Sequence, residues 1–290
     1  MTVKTVDGER LAKRWLSLSL LLMSTAISAA RAQSTPELLT AELAAGEATI
    51  WYLSHAGWAV KTREHLLIFD YWESSAPRST RSLSNGYVNP AEIADQNVYV
   101  FVSHAHGDHY DPTVLQWRQA VSNITYIFGW EAGSDSEHVY MVQPRDTRQL
   151  GDLVVSTVNH DFDRIPEVAF LVAVDDVVID HSGDHGTVTD APNPTFVDNI
   201  DYLASRAGQI DVAFISTFGQ IGGGTINNGD RYSIEKLRPR VMFPMHHGGN
   251  EDLYERFARE VRREDVKTAV RFATRPGDRF RYEAGRAERR

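Results

Sequence analysis

The sequence contains no cysteine. This absence excludes disulfide bonds, iron–sulfur clusters, thiolate zinc sites and a cysteine nucleophile. Any transition metal that this chain binds must therefore be held by histidine and carboxylate side chains. The absence does not indicate a compartment, because a chain without thiols suits reducing and oxidising surroundings alike.

Basic residues are outnumbered, with 30 lysines and arginines against 39 aspartates and glutamates, which gives a net charge of −9. A surface this negative disfavours nucleic acid and anionic membranes as partners. A small-molecule substrate is the expected partner. Phosphorylated substrates stay open, because a bound dication can supply a local positive field. The sequence leaves the oligomeric state open.

Long apolar runs are also scarce, and the one near the N-terminus has the pattern of a secretory signal. Lys13-Arg14 precedes the apolar run Trp15–Ile27, and Ala30-Arg31-Ala32 follows as a small-residue cleavage motif. The run is too short and too rich in serine to be a good membrane span, and no other stretch is apolar enough. We therefore expect residues 1–32 to be a signal peptide and the mature protein to be periplasmic or secreted. An uncleaved anchor or a buried helix is the alternative.

The rest of the chain is predicted to be one domain over residues 48–290, preceded by a polar linker over residues 33–47. Short runs rich in β-branched and aromatic residues predict strands, and helical spacing predicts helices over Pro194–Ala207 and Glu251–Arg263. This order predicts an α+β fold in which two sheets pack together with helices outside. The loop Gly222–Gly229 lacks the lysine of a phosphate-binding loop, which argues against a nucleotide site.

Four residues of metal-binding type occur within six positions, at His104, His106, Asp108 and His109, directly after the strand-like run Val98–Val102. In an extended segment, residues two apart point to the same side, so His104 and His106 can hold one cation together. Asp108 and His109 lie beyond a glycine, where the chain can turn and present a second pair. Imidazole nitrogen combined with carboxylate oxygen suits zinc, iron or manganese.

One loop cannot complete the ligand shells of two metal ions, and further histidines and aspartates follow other predicted strands. Loops at strand ends converge on one edge of a sheet, so these residues are the expected additional ligands. They are His160 after Leu153–Val158, the group His181, Asp184 and His185 after Val177–Ile179, and the pair His246 and His247 after Val241–Met245.

Several motifs occur in a fixed order around the histidine cluster: Leu53-Ser54-His55-Ala56-Gly57, Phe69-Asp70, His181-Ser182-Gly183-Asp184 and Pro244-Met245-His246. Together with the cluster, they resemble the metallo-β-lactamase superfamily of αββα hydrolases. They are most similar to the branch that contains ascorbate-phosphate lactonases and N-acyl-phosphatidylethanolamine phospholipase D. The resemblance covers most of residues 48–282.

The resemblance implies a four-layer αββα sandwich that holds two divalent metal ions, with Zn²⁺ expected and Mn²⁺ or Fe²⁺ as alternatives. The implied ligands are His104, His106 and His160 for one ion, Asp108, His109 and His246 for the other, and Asp184 for both. His247 replaces an aromatic position and is expected to face the substrate. The chain lacks the Gly-His-Thr that true metallo-β-lactamases carry at the third histidine, which argues against β-lactam hydrolysis.

The expected function is that of an exported metal-dependent hydrolase, in which a hydroxide between two ions attacks an ester, lactone or amide carbonyl. Asp108 is expected to orient this hydroxide. Metal-bound water or His181, with His55 and His185 as further alternatives, is expected to protonate the leaving group. Each of these histidines could instead donate a hydrogen bond from outside the ligand shell. Two alternatives stay open: a phosphodiesterase similar to phospholipase D, and an exported metal-binding protein without turnover.

The signal-peptide assignment predicts that the exported protein begins at Gln33. N-terminal sequencing or intact-mass measurement of protein recovered from the periplasm or medium should give this terminus, because Ala30 and Ala32 fit the cleavage site. Substituting Ala32→Arg should block processing, whereas the neighbouring Gln33→Asn substitution should not. Recovery of an unprocessed chain in the membrane fraction would instead identify an anchor.

Overall fold

The computed structural model describes residues 33–73, 80–133, 137–160, 165–188, 192–218, 226–264 and 266–290. The predicted signal peptide lies outside the described residues. The chain from Gln33 to Arg290 forms one compact unit.

Fifteen strands and four α-helices make up the described part of this unit. The strands are β1 (Ala48–Ser54), β2 (Gly57–Lys61), β3 (His65–Phe69), β4 (Asn97–Val102), β5 (Ile124–Phe128), β6 (Val139–Tyr140), β7 (Arg145–Leu150), β8 (Leu153–Asn159), β9 (Val168–Val174), β10 (Val177–His181), β11 (Val212–Ser216), β12 (Val241–Met245), β13 (Ala269–Val270), β14 (Arg279–Glu283) and β15 (Arg286–Arg289). The helices are α1 (Thr35–Leu39), α2 (Pro194–Ala207), α3 (Asn228–Leu237) and α4 (Asp252–Val261).

The strands form two sheets that pack face to face. The first has the order β15-β14-β1-β2-β3-β4-β5-β6, and the second has the order β13-β12-β11-β10-β9-β8-β7. Side chains that alternate along each strand fill the space between the sheets, and aromatic rings make up much of it. Phe214 stacks on Trp58 with ring centroids 4.6 Å apart, and Phe69 stacks on Phe101 at 4.8 Å.

Helices cover the outer face of each sheet. Apolar residues of α1 and of the 3₁₀ helix Pro112–Gln119 pack on the first sheet. Residues of α2, α3 and α4 pack on the second. The order helix, sheet, sheet, helix confirms the predicted αββα sandwich within one domain. Among the described helices, none combines the length and the apolar character needed to cross a bilayer.

The structure differs from the sequence-based prediction in polar segments. The strand β7 and the helix α3 were not predicted, since Arg145–Leu150 has no apolar alternation and Asn228–Leu237 is mostly polar. The spacing of Val114, Trp117 and Val121 predicts an α-helix, but the segment from Pro112 is a 3₁₀ helix. The segment predicted to be a linker packs on the domain through buried Leu38, Leu39 and Leu43.

The packing between the sheets predicts a large loss of stability for Phe214→Ala. Phe214 is fully buried between Trp58 and Phe243, so removal of its ring should lower the free energy of unfolding by about 3–5 kcal/mol. Val154→Ala is the matched control: Val154 is 39% exposed, and its truncation should change that energy by less than about 0.5 kcal/mol. Denaturant unfolding measures both, and equal effects would contradict this packing.

Candidate metal centre

Loops from both sheets meet at one end of the sandwich. The histidine cluster follows β4, Asp184 follows β10, and His246 follows β12 directly. Strands β10, β11 and β12 run parallel, so their carboxyl ends share one edge of the second sheet. The turn between β1 and β2 adds His55 from the first sheet, where its carbonyl oxygen accepts a hydrogen bond from the His246 amide at 3.2 Å.

This convergence places seven side chains in two groups of possible metal ligands. Within each group, one nitrogen or oxygen atom per residue lies within 4.8 Å of all the others. The first group consists of His104, His106 and Asp184, and the second consists of His55, Asp108, His109 and His246. The fold therefore brings six of the seven predicted ligands close together, along with His55.

Asp184 lies between the two groups. Its Oδ1 atom is 3.0 Å from His109 Nε2 and 2.8 Å from His246 Nε2, while its Oδ2 atom is 3.5 Å from His104 Nε2. One carboxylate oxygen thus faces the second group and the other faces the first. A carboxylate in this arrangement can bind two cations at once.

The ligand atoms around Asp184 Oδ1 fit a bound cation. His109 Nε2, Asp184 Oδ1 and His246 Nε2 are buried and both nitrogens lie 2.8–3.0 Å from Asp184 Oδ1, yet the three atoms are not aligned for hydrogen bonds in the described structure. Polar atoms rarely stay buried without a partner, and a shared cation would satisfy all three. Imidazole nitrogen with carboxylate oxygen is the donor set of zinc, iron and manganese sites without thiolates. The residues present therefore fit the metal ions that the resemblance implies.

Asp70 fixes the orientation of two of these histidines from behind. Its Oδ2 atom is 2.7 Å from His109 Nδ1 and accepts a hydrogen bond of the same length from Ser103 Oγ. Ser103 Oγ in turn is 2.9 Å from His104 Nδ1. The Nδ1 atom of His109 therefore faces Asp70 directly, and the Nδ1 atom of His104 faces it through Ser103. In both rings, Nε2 faces the centre. A carboxylate behind a ligating histidine sets its tautomer and its direction.

Close backbone packing and strained conformations hold this arrangement. The backbone φ angles of Asp70, His55 and His246 are positive, at 41°, 52° and 79°. Residues other than glycine adopt such angles only at a cost in free energy. Gly183 has φ +53°, and a Cβ atom there would lie 2.8 Å from that of Ser103. A glycine is therefore required where the Asp184 loop meets the histidine loop.

The carboxylates set the protonation of the two central histidines. Burial opposes a charge on His109, but the adjacent Asp184 and Asp70 outweigh it and raise its pKa to about 10. Burial, with the charge of His109 nearby, lowers the pKa of His104 to about 4. Burial also opposes the charge on Asp184, yet His109 and His246 hold its pKa well below the ordinary range. At neutral pH, His109 is therefore a cation with a proton on each ring nitrogen, whereas His104 is a neutral ring with one ring proton.

His160 and His185 lie together outside both groups. Their rings meet edge to face with centroids 5.1 Å apart, and the His160 amide donates to the carbonyl oxygen of Glu167 at 3.0 Å. His185 stacks on Phe196, and its Nε2 atom is 3.3 Å from Asn199 Nδ2. Burial lowers the pKa of His185 to about 3. Residues 161–164, directly after His160, lie outside the described part of the chain.

His181 and His247 are turned towards backbone atoms. His181 stacks on Phe69, its Nε2 atom is 2.8 Å from the carbonyl oxygen of Ala56, and its Nδ1 atom accepts from the Gly183 amide at 3.3 Å. His247 Nε2 is 2.7 Å from the carbonyl oxygen of Thr217. Neither side chain belongs to a ligand group.

Asp70, Ser103 and Glu167 belong to this site but are not among the predicted site residues. Asp70 follows a buried strand, as the predicted ligands do, and Ser103 directly precedes the histidine cluster. Glu167, whose Oε2 atom is 3.9 Å from His104 Nδ1, follows no predicted strand and gives no signal in the sequence.

The protonated state of His109 predicts proton release when metal binds at pH 7. A metal ion binds the lone pair of Nε2. Because the pKa of His109 is about 10, its Nε2 is protonated at pH 7 and must lose that proton when the metal binds. His104 is already neutral, and both Asp108 and Asp184 are already ionised. Titration calorimetry in two buffers of different ionisation enthalpy should show release of about one proton from His109. Affinity should rise with pH up to that pKa, and a buffer-independent heat would contradict the assignment.

The position of Asp70 predicts that Asp70→Asn weakens metal binding about 10–100-fold without removing a ligand. Asp175→Asn is a matched control, because Asp175 also lies beside a histidine, with Oδ2 2.9 Å from His65 Nδ1, but belongs to neither ligand group. Competition with a chromogenic chelator measures both affinities. Equal losses in the two variants would show a general effect on stability.

Comparisons with known proteins agree with this fold. No curated protein matches the sequence. Among solved structures, the chain is similar to Igni18, described as a novel metallo hydrolase from the archaeon Ignicoccus hospitalis (TM-score 0.59, 17% identity, 82% of this chain and 99% of that one). It is also similar to the metallo-beta-lactamase fold protein YhfI from Bacillus subtilis (TM-score 0.52, 11% identity, 81% of this chain and 99% of that one). A third similar structure is CmlA, a diiron beta-hydroxylase from Streptomyces venezuelae (TM-score 0.53, 13% identity, 87% of this chain and 55% of that one). At these identities, the similarity establishes the fold.

The family model described as the beta-lactamase superfamily domain matches residues 49–246, which include all seven residues of the two ligand groups. The chain therefore belongs to the metallo-β-lactamase superfamily.

Proposed function

We propose that this protein is a hydrolase that uses two divalent metal ions, with Zn²⁺ as the expected metal, and acts after export from the cytoplasm. The position of Asp184 carries the proposal. Its two oxygen atoms face separate groups of ligand atoms, at 2.8 and 3.0 Å on one side and 3.5 Å on the other. A site for a single ion would need only one of these groups.

In this proposal, His104, His106 and Asp184 bind the first ion, and Asp108, His109, His246 and Asp184 bind the second. His160, the third histidine expected for the first ion, stands against His185 instead of joining the group. When bound, two such cations lower the pKa of a water molecule and polarise the oxygen atom of a substrate. The substrate that this chemistry favours is a small ester, lactone or amide.

The chain's own residues divide the remaining tasks. Asp108 has a side chain that is 44% exposed, and its neighbour His55 holds the pKa of that carboxyl well below its usual range. Asp108 therefore stays ionised and can orient a water molecule from the open side. Asp70 and Ser103 hold the histidine rings so that little reorganisation is needed during the reaction. With both ring nitrogens on backbone atoms, His181 serves as a positioning residue between the sheets.

A screen of esters, lactones, amides, β-lactams and phosphodiesters on the metal-loaded protein tests this function. Hydrolysis of carbonyl substrates should require added Zn²⁺, Mn²⁺ or Fe²⁺. Turnover confined to phosphodiesters would move the activity to the phosphodiesterase alternative. CmlA, a diiron beta-hydroxylase, has a similar fold. Oxygen uptake by the iron-loaded protein without any hydrolysis would therefore contradict the proposal.

The ligand assignment predicts that His106→Ala lowers kcat/KM at least about a thousandfold, since a metal ion contributes several kcal/mol to the transition state. The loss should accompany a lower metal content measured by elemental analysis. His138→Ala is the control: His138 packs on Tyr126 and Phe128 and belongs to neither ligand group. Unchanged turnover in the His106 variant would remove the first group from the mechanism.

A further inference from the structure

His55 lies within the second ligand group but has a different hydrogen-bond pattern from its neighbours. It occupies the turn between β1 and β2 in a left-handed conformation, and its ring packs on His246 with centroids 4.2 Å apart. Distance alone would make it a fourth ligand, beside Asp108, His109 and His246. Which ring nitrogen carries the proton determines whether His55 can be a metal ligand or a hydrogen-bond donor towards the centre.

The amide of Gly248 determines where that proton lies. Gly248 N–H donates to His55 Nδ1 at 3.2 Å. A nitrogen that accepts a hydrogen bond has no proton, so a neutral ring must carry its proton on Nε2. A histidine that binds metal through Nε2 carries its proton on Nδ1, where it would face the Gly248 N–H head-on. This hydrogen bond therefore excludes the tautomer that a ligand needs.

The approach of Gly248 to His55 is close. A Cβ atom at position 248 would lie 3.0 Å from both the amide nitrogen and the Cβ atom of His55. Only glycine brings its amide this near without displacing the His55 turn. The backbone therefore holds the ring in this orientation from the side opposite the centre.

The opposite nitrogen, Nε2, points towards the centre. It is 3.4 Å from Asp108 Oδ2, and it is buried with no acceptor in hydrogen-bond geometry in the described structure. Trp72 meets the His55 ring edge-on at 6.1 Å, and the His55 side chain is 12% exposed. Because the Asp108 carboxylate is not aligned for a hydrogen bond with it, this N–H group can donate to an oxygen atom that enters with the substrate.

We propose that His55 is not a metal ligand but a neutral hydrogen-bond donor, whose Nε2–H contacts the substrate oxygen on which negative charge develops during hydrolysis. The contact stabilises that charge without transferring a proton, so the ring stays neutral throughout. The contact with substrate rests on the hydrolytic function proposed above. The assignment of His55 as a donor instead of a ligand does not.

Metal content and kinetics together test the donor role. His55→Phe removes the N–H group and keeps a planar ring, whereas His55→Gln restores an N–H donor. Both variants should retain the metal content of the unaltered protein, while His246→Gln should lose metal in the same measurement. His55→Phe should lower kcat about a hundredfold with little change in KM, as expected for one lost donor to a developing oxyanion. His55→Gln should recover part of this loss.

Nitrogen NMR of the unaltered protein provides a test that no substitution can confound. With ¹⁵N-histidine and bound Zn²⁺, long-range proton–nitrogen spectra should show His55 protonated on Nε2 and unprotonated on Nδ1. Its signals are assigned by their loss in His55→Gln.

A proton on Nδ1, or a metal loss in both His55 variants equal to that in His246→Gln, would overturn the proposal and make His55 a ligand. Unchanged kcat in His55→Phe would overturn the substrate contact alone. If the unaltered protein hydrolyses no substrate while the spectra show Nε2–H, then the proposed function fails and the tautomer stands.

Discussion

The buried carboxylate of Asp70 joins the histidine loop to the first sheet. Its amide donates to the carbonyl oxygen of Phe101, which keeps β3 beside β4, and its side chain accepts from the Ser103 amide at 2.7 Å. A buried carboxylate without partners costs several kcal/mol, so these donors are needed for stability as well as for geometry. The positions of His104 and His109 depend on this contact, because both rings are oriented by it.

The centre contains two buried carboxylates, Asp70 and Asp184, whose negative charge a bound cation would offset. In the protein alone, a proton on His109 is the positive charge between Asp70 and Asp184. A bound metal ion would replace that proton and, with its larger charge, would also interact with buried nitrogen and oxygen atoms of the centre that are not aligned for hydrogen bonds in the described structure. Asp70, His55 and His246 all have left-handed backbone conformations, which cost energy in residues other than glycine and which cluster at functional sites. Stability of the metal-free protein and metal affinity are therefore linked.

Much of this centre could be predicted because its residues follow buried strands. The cluster at His104–His109, Asp184 and His246 all occupy such positions, and the carboxyl ends of parallel strands share one edge. His181 shows the limit of the same reasoning. It is the last residue of β10, and since side chains alternate along a strand, it points between the sheets as Ile179 does. The tautomer of His55 depends on the Gly248 amide, 193 residues away, which no local pattern indicates. The polar strand β7 and helix α3 gave no periodic signal.

Anomalous X-ray diffraction from Zn²⁺-soaked crystals can determine whether Asp184 lies between two metal ions. We expect two zinc peaks, one beside His104 and His106 and one beside Asp108, His109 and His246, with one Asp184 oxygen towards each. A single peak, or zinc bound away from Asp184, would contradict this arrangement.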